Sequence, residues 1–342
     1  MGTRRKSIAI PIALASACLA ATAASRAGEI TLYSTREAAL VAPVAAAFTE
    51  ASGIKVKIVL VGDSLVERLA SEGEASPADV LLTIGLDKTI QLATSGRTQV
   101  FTSPRLEQAV PANLQGGSSQ WIALAIRPRV VMARNDNVIT AIDYEDLAGA
   151  QWRGKLCMRS LLHQNNVALV AAYLAHHGEA ATEAWLAGLK ANLAHKPDGK
   201  DNDVVREIAQ GTCEIGIGNT VALAQLRDGR EGADWRNWAM AVKAVPTTFK
   251  GGGTHVNLTG VAIAKYAPHM ADAQKFMEFL VTPPAQRMFA AAELEFPVMA
   301  TAECAPIVAE MGSFTADALP IDVIGRTQQA AIGLIKKAGF DG

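Results

Sequence analysis

The chain has 342 residues, half of them apolar and 19% charged, with a net charge of −1. That balance excludes a disordered chain and supplies apolar surface for two globular units. It also offers no basic footprint for a nucleic-acid partner.

Arg4, Arg5 and Lys6 precede an apolar, alanine-rich run from Ile8 to Ala24, and Ser25-Arg26-Ala27 follows with small residues at the cleavage spacing. Residues 1–27 read as a cleavable signal peptide rather than an uncleaved membrane anchor, because so many alanines make a weakly apolar span. Cys18 resembles a lipoprotein acylation site only loosely. Removing four basic residues and no acidic one from 32 basic and 33 acidic residues leaves 28 against 33.

From Glu29 onward, short β-rich runs alternate with amphipathic helical runs, the pattern of α/β units around a largely parallel sheet. Strands are predicted at 30–33, 54–61 and 79–83. Helices follow each of them, the first with Leu40, Val44, Ala47 and Phe48 on one face and Gly53 as its stop, the second capped by Asp63 and Ser64. A β-rich run at 121–133 carries Arg127 and Arg129. A second series has strands at 156–158 and 213–217, and helices at 167–176, 182–193 and 204–210. A strand at 256–264 returns the chain, Pro283-Pro284 splits helical sequence over 271–292, and a last helix covers 330–338. Two crossings between lobes make a hinge, with 29–120 plus 255–300 as lobe 1 and 121–254 plus 301–342 as lobe 2. The ligand cleft then lies between them, beyond the strand ends.

Three cysteines remain after export, where disulfides persist. Cys157 and Cys213 each sit in a strand-like apolar run and are expected to bridge neighbouring strands; the alternative is three buried thiols. The chain lacks a Gly-x-Ser-x-Gly elbow, a phosphate loop, a His-Glu-x-x-His pair and a Cys-x-x-Cys pair, so no enzyme is expected.

Several runs carry a family resemblance: Ile30-Thr-Leu-Tyr-Ser-Thr-Arg36, Thr49-Glu-Ala-Ser-Gly-Ile-Lys-Val56, Glu67-Arg-Leu-Ala-Ser-Glu-Gly73 and Ser76-Pro-Ala-Asp-Val-Leu-Leu-Thr83. Trp152-Arg-Gly-Lys155, Gly218-Asn-Thr220, Gly253-Thr-His-Val-Asn-Leu-Thr-Gly260 and Glu295-Phe-Pro-Val298 continue it in order. Together they resemble the ferric-ion-binding periplasmic proteins over nearly the whole exported chain. The resemblance implies a two-lobed type II periplasmic binding protein that closes on its ligand and docks on an ABC importer permease in the inner membrane. With the signal peptide and the acidic balance of the exported chain, the expectation is a periplasmic monomer with no nucleic-acid partner.

Those relatives hold Fe(III), a hard cation, mainly with tyrosine phenolates plus a carboxylate or imidazole. Here the positions matching their adjacent tyrosine pair are Val221 and Ala222, and another matching tyrosine position is Asn165. The early His or Gln position is Glu37, followed by Ala38. The four tyrosines, at 33, 144, 173 and 266, match none of the ligand positions. No resident cofactor is expected, and Fe(III) is expected only as a chelate with a bound anion, or else a different anionic organic ligand. Glu37 and His163 are the only metal-ligand candidates.

The ligand set read from the sequence is Arg36 and Glu37 on lobe 1 and Ser160, His163, Asn165 and Asn219 on lobe 2. Arg159-Ser160 falls where a strand ends and a helix begins, a geometry that offers backbone N–H groups to an anion. Arg36 is expected to add a bidentate fork for carboxylate or phosphate. The resemblance assigns Ser160 and Asn219 to holding the anion that accompanies iron. Val221 and Ala222 read as an apolar wall for an organic ligand. A different reading of the same chain is a ligand-presenting sensor or metal-handling accessory that feeds no transporter.

Overall fold

β1 (Glu29–Ser34), β2 (Lys55–Leu60) and β3 (Val80–Ile84) pair in parallel around β1, joined by helices α1 (Ala38–Ser52) and α2 (Leu65–Glu72). The structure is a computed structural model and describes Gly2 and residues 28–340. The signal-peptide expectation at 1–27 therefore falls, Gly2 aside, outside the described residues. Among the described residues no helix is long and apolar enough to cross a membrane.

Helices α3 (Leu86–Thr94) and α4 (Pro104–Ala109) lead to the 13-residue strand β4 (Ile122–Arg134). Next come β5 (Ile142–Asp143), β6 (Leu156–Met158), α5 (Gln164–Asn192), α6 (Asp201–Gln210), β7 (Ile215–Asn219), α7 (Thr220–Arg227) and α8 (Ala233–Met240). The chain continues through β8 (Val242–Val245), β9 (Thr247–Thr248), β10 (Val256–Ile263), α9 (Met270–Leu280), α10 (Pro283–Glu293), β11 (Phe296–Pro297), α11 (Pro306–Ala309) and α12 (Ile321–Lys337).

Strand β10 runs antiparallel between β3 and β4 and is buried along its whole length, as a central strand covered on both faces must be. The first half of β4 pairs with β10, up to Pro128 opposite Val256. Its second half, from Arg129 to Arg134, pairs with β7 and β8, and β6 lies parallel to β7. One continuous strand thus belongs to two sheets. The change of partner falls inside β4, at Pro128. The return passage lies beside it, where the Arg129 N–H donates to the His255 carbonyl at 2.9 Å. Helix α12 packs along α5, with the Thr327 hydroxyl on the Ala171 carbonyl at 3.0 Å.

Three expectations change in detail. The helices expected at 167–176 and 182–193 are one span, α5, interrupted at Gly178 (φ 78°, ψ 176°), a conformation open to a residue without Cβ. The strand expected at 213–217 is β7 at 215–219, because the Glu214 and Ile215 amides still fold back onto the Lys155 carbonyl. Asp63 and Ser64 form a 3-10 turn ahead of α2 without capping it through a side chain. At α10 the expected break holds: Pro283 and Pro284 occupy the first turn, and Thr282 accepts the Ala285 N–H.

The expected bridge is present. Cys157 on β6 and Cys213, two residues ahead of β7, are joined, with Cα atoms 5.8 Å apart. Cys304 is a free, half-buried thiol.

Candidate functional site

Strand direction fixes where a site can form. Because β4 runs from one sheet into the other, β1 and β3 run with it and point their C-terminal ends at the second sheet. β6 and β7 run against it and point theirs at the first. All four ends converge on the seam, the place where open α/β sheets bind ligands. The residues that follow them are Thr35 to Glu37, Gly85 to Asp87, Arg159 to Ser160, and Asn219 to Thr220.

On the second-sheet side, Arg129 is fully buried and anchors the floor. Its guanidinium donates to Asn166 Oδ1 (2.8 Å), Asp201 Oδ2 (3.0 Å) and Asn219 Oδ1 (3.0 Å), and the Asn219 N–H donates to Asp201 at 3.0 Å. Asn219 has thus committed its carbonyl end, which leaves its amide N–H groups as donors. Asn166 Nδ2 in turn holds the carbonyls of Arg159 and Ser160, at 3.1 and 3.0 Å, and so fixes the turn that starts α5. Asp201 is held below the usual carboxylate range. Its burial alone would raise it, and the charge and hydrogen bonds of Arg129, the charge of Arg159 and the Asn219 amide outweigh that burial.

The start of α5 forms an amide cradle. Among the described residues, the Ser160, Leu161 and Gln164 N–H groups meet no protein acceptor. His163 is the N-cap, and its Nδ1 accepts the Asn165 N–H at 3.2 Å. Burial, with Arg159 and Arg129 nearby, pushes its pKa down to about 4, so the ring is neutral at pH 7. A neutral imidazole whose Nδ1 accepts must carry its proton on Nε2. With Nδ1 engaged by the Asn165 amide, Nε2 is the ring nitrogen left without a protein partner. Two buried atoms lack partners here, Arg159 Nε and Asn165 Oδ1. Arg159 itself is 3.9 Å from Asp201. With Arg129 and Arg159 against Asp201, the local charge is positive.

The first-sheet side has the opposite sign. Glu37 is exposed at the N-cap of α1 and makes no capping bond there. Asp87, in the first turn of α3, is half-buried, and its desolvation raises its carboxyl above the ordinary range. The sequence reading missed it. Its signal was the Gly85-Leu86-Asp87 step at a strand's C-terminal end. Gly85 holds φ +107°, and a Cβ there would lie 2.6 Å from Asp87 Oδ1 and 3.3 Å from Gln164 Nε2. A residue of each lobe meets over that glycine. Lys88 and Asp63 pair at the exposed rim.

Arg36 departs from its expected role. It is buried and its guanidinium is bound to Glu293, Glu295 and Thr259 Oγ1, the last at 2.9 Å. Arg127 joins the same cluster, 3.6 Å from Glu295, and donates to the Leu258 carbonyl at 2.7 Å. Two carboxylates satisfy the fork that was expected to grip a ligand, so Arg36 positions the seam from behind. Burial lifts Glu293 to about 7 despite Arg36, with Glu295 adding repulsion.

Val221 and Ala222, in the first turn of α7, are half-buried and buried. The tyrosines are engaged elsewhere: Tyr33 donates to Glu72 at 2.9 Å, Tyr144 donates to the Arg129 carbonyl, and Tyr173 stacks on Trp185 at 4.1 Å. Tyr266 is at the surface, beside Lys265. The phenols of Tyr33, Tyr144 and Tyr173 are all shifted up by burial, away from the phenolate form.

Residues 30–292 match the family model described as bacterial extracellular solute-binding protein. Iron uptake protein A1 of Synechocystis is 35% identical over 315 residues, covering 91% of this chain and 87% of that one. A Bordetella ferric binding protein superposes with a TM-score of 0.89 at 45% identity, over 92% of this chain and 100% of that one. A Trichodesmium protein solved in complex with iron and citrate ligands gives 0.87 at 34% identity, over 92% and 100%.

Proposed function

The chain belongs to the bacterial extracellular solute-binding proteins, in the group of ferric-iron-binding proteins, and on that premise we propose that it captures chelated Fe(III) for an ABC importer. It is read as the exported, periplasmic component, released from its signal peptide at residue 27 and working as a monomer that docks on an inner-membrane permease.

The observation that carries the ligand class is the run of free amides at the start of α5, those of Ser160, Leu161 and Gln164, with His163 as the N-cap between them. Those donors suit the oxygens of an anion. Across the seam, Glu37 and Asp87 suit a hard cation. A ligand that presents negative oxygens to one lobe and a trivalent metal to the other fits both, and a carboxylate chelate of Fe(III) has that polarity. In this reading Asn219 and Arg159 help hold the anion, Asn165 Oδ1 accepts from a ligand hydroxyl, and Val221 and Ala222 line the apolar wall. Capture involves no bond making in the ligand: closure follows because only the closed form touches it from both sides.

Titration with ferric salt alone and with ferric citrate, read by native mass spectrometry and visible absorption, tests this. The expected result is a one-to-one mass gain with the chelate and no phenolate-to-iron band. A phenolate band with ferric salt, or no gain with the chelate, would overturn it.

A further inference from the structure

A second group of ligating side chains lies away from the cleft. The Ala194 N–H donates to the Leu156 carbonyl at 2.9 Å, and this pairing sets His195 beside Cys157 on β6. His195 Nε2 is 3.6 Å from Cys157 Sγ and 3.1 Å from Glu207 Oε2 on α6, and the three ligand atoms lie within 4.8 Å of one another. Cys213 supplies a second sulfur, bonded to Cys157. The other ring nitrogen, Nδ1, is 2.8 Å from the Lys196 carbonyl. That contact holds a proton on Nδ1 and leaves Nε2 as the nitrogen aimed at sulfur and carboxylate. A metal-ligating histidine is oriented in this way, by a backbone carbonyl on its outer nitrogen.

We propose that the reduced chain holds a thiophilic divalent ion of the zinc class at Cys157, Cys213, His195 and Glu207. Two thiolates, an imidazole and a carboxylate make a four-ligand borderline-soft set. Every chain leaves synthesis with its cysteines as thiols, so both sulfurs are free to ligate until the bridge forms. Binding displaces the two thiol protons. An external disulfide converts the site: it takes two electrons from the two thiolates and two protons from water and is reduced to thiols, the metal leaves, and the Cys157–Cys213 bond forms. An external phosphine or dithiol supplies two electrons and restores it. The cysteine pair would then be a metal site in one redox state and a strand staple in the other.

The test uses the full exported chain and cobalt(II) as the zinc probe. The phosphine-reduced protein is expected to bind one equivalent with thiolate-to-cobalt absorption and tetrahedral visible bands, and the oxidised protein to show neither. His195→Ala and Glu207→Gln each keep both thiols and are expected to bind at least about tenfold more weakly, while Cys304→Ser binds as the native chain does. A reduced chain without thiolate–cobalt absorption would overturn the proposal. So would equal affinity in His195→Ala, since unfolded thiols bind regardless of that ring.

Discussion

At the scale of single residues, buried groups that titrate the wrong way for stability mark what this seam needs. Asp87 is an acidic residue kept in a site that raises its pKa, which disfavours its charged form. Asp87→Asn is therefore expected to raise the melting temperature slightly while lowering ferric-chelate affinity about tenfold or more; affinity unchanged by calorimetry would remove Asp87 from the site. Two other residues oppose each other in acid. His255 is fully buried, with its pKa pushed down to about 3 by burial and Arg129. The unfolded chain then binds the extra proton below about 6.5, so His255 costs stability as pH falls. Glu293, lifted to about 7, holds a proton that the unfolded chain lacks above about 4.5, and so adds stability as pH falls through 7. Relative to the native chain, Glu293→Gln should lose about 1.4 kcal/mol per pH unit on going from 7 to 4.5, and His255→Gln should gain about as much from 6.5 downward. Urea unfolding across that range measures both slopes, and parallel curves for all three chains would refute the assignment. Ser160, His163, Asn165 and Asn219 stand out in the sequence because each sits at a strand end or helix start. Arg36 was misread because its partners, Glu293 and Glu295, are more than 250 residues away, and no local pattern announces such a cluster.

At the scale of elements, the alternation of strand and helix was legible because apolar period and breaker residues agree along most of the chain. What local pattern missed are places where one element serves two partners. The β4 run reads as a single strand, and only its pairing, with β10 up to Pro128 and with β7 and β8 beyond, shows that it is shared between lobes. Arg127 and Arg129 stood out as charges in an apolar run, and their meaning lies in that passage: one holds the Glu295 cluster and the other the Asp201–Asn219 floor. The bridge from Cys157 to Cys213 staples the two strands whose ends carry the anion cradle. Its loop spans 56 residues, for which chain entropy gives a stabilisation of about 4 kcal/mol. Cys213→Ala is expected to lower urea-unfolding stability by roughly 2–4 kcal/mol and to weaken chelate binding less than Asp87→Asn does, since Asn166 and Arg129 still fix the cradle. Stability equal to that of the oxidised native chain would show that the staple contributes nothing.

For the whole molecule, capture depends on the free-energy gap between open and closed lobes, and the structure contains contacts that act on that gap without touching the ligand site. Helix α7 starts at the cradle, beside Asn219, and its far end reaches α10 of the other lobe. Gln225 Nε2 lies 3.5 Å from the Glu293 carbonyl, and Arg230 Nη2 donates to the Ala292 carbonyl at 3.1 Å. Both bonds are part-buried or exposed, so each is worth about 1 kcal/mol net, and both tie the α7 side of the seam to α10. Apparent affinity scales with the fraction of chains in the binding-competent form. Replacing both Gln225 and Arg230 by Ala should therefore weaken chelate binding roughly three- to thirtyfold, through faster release, with the ligand contacts intact. Small-angle scattering should show the unliganded double variant expanded relative to the native chain, and saturating chelate should return it to the same radius. A double variant that binds and releases as the native chain does would mean that closure is set by the ligand and by the Gly85–Gln164 seam alone.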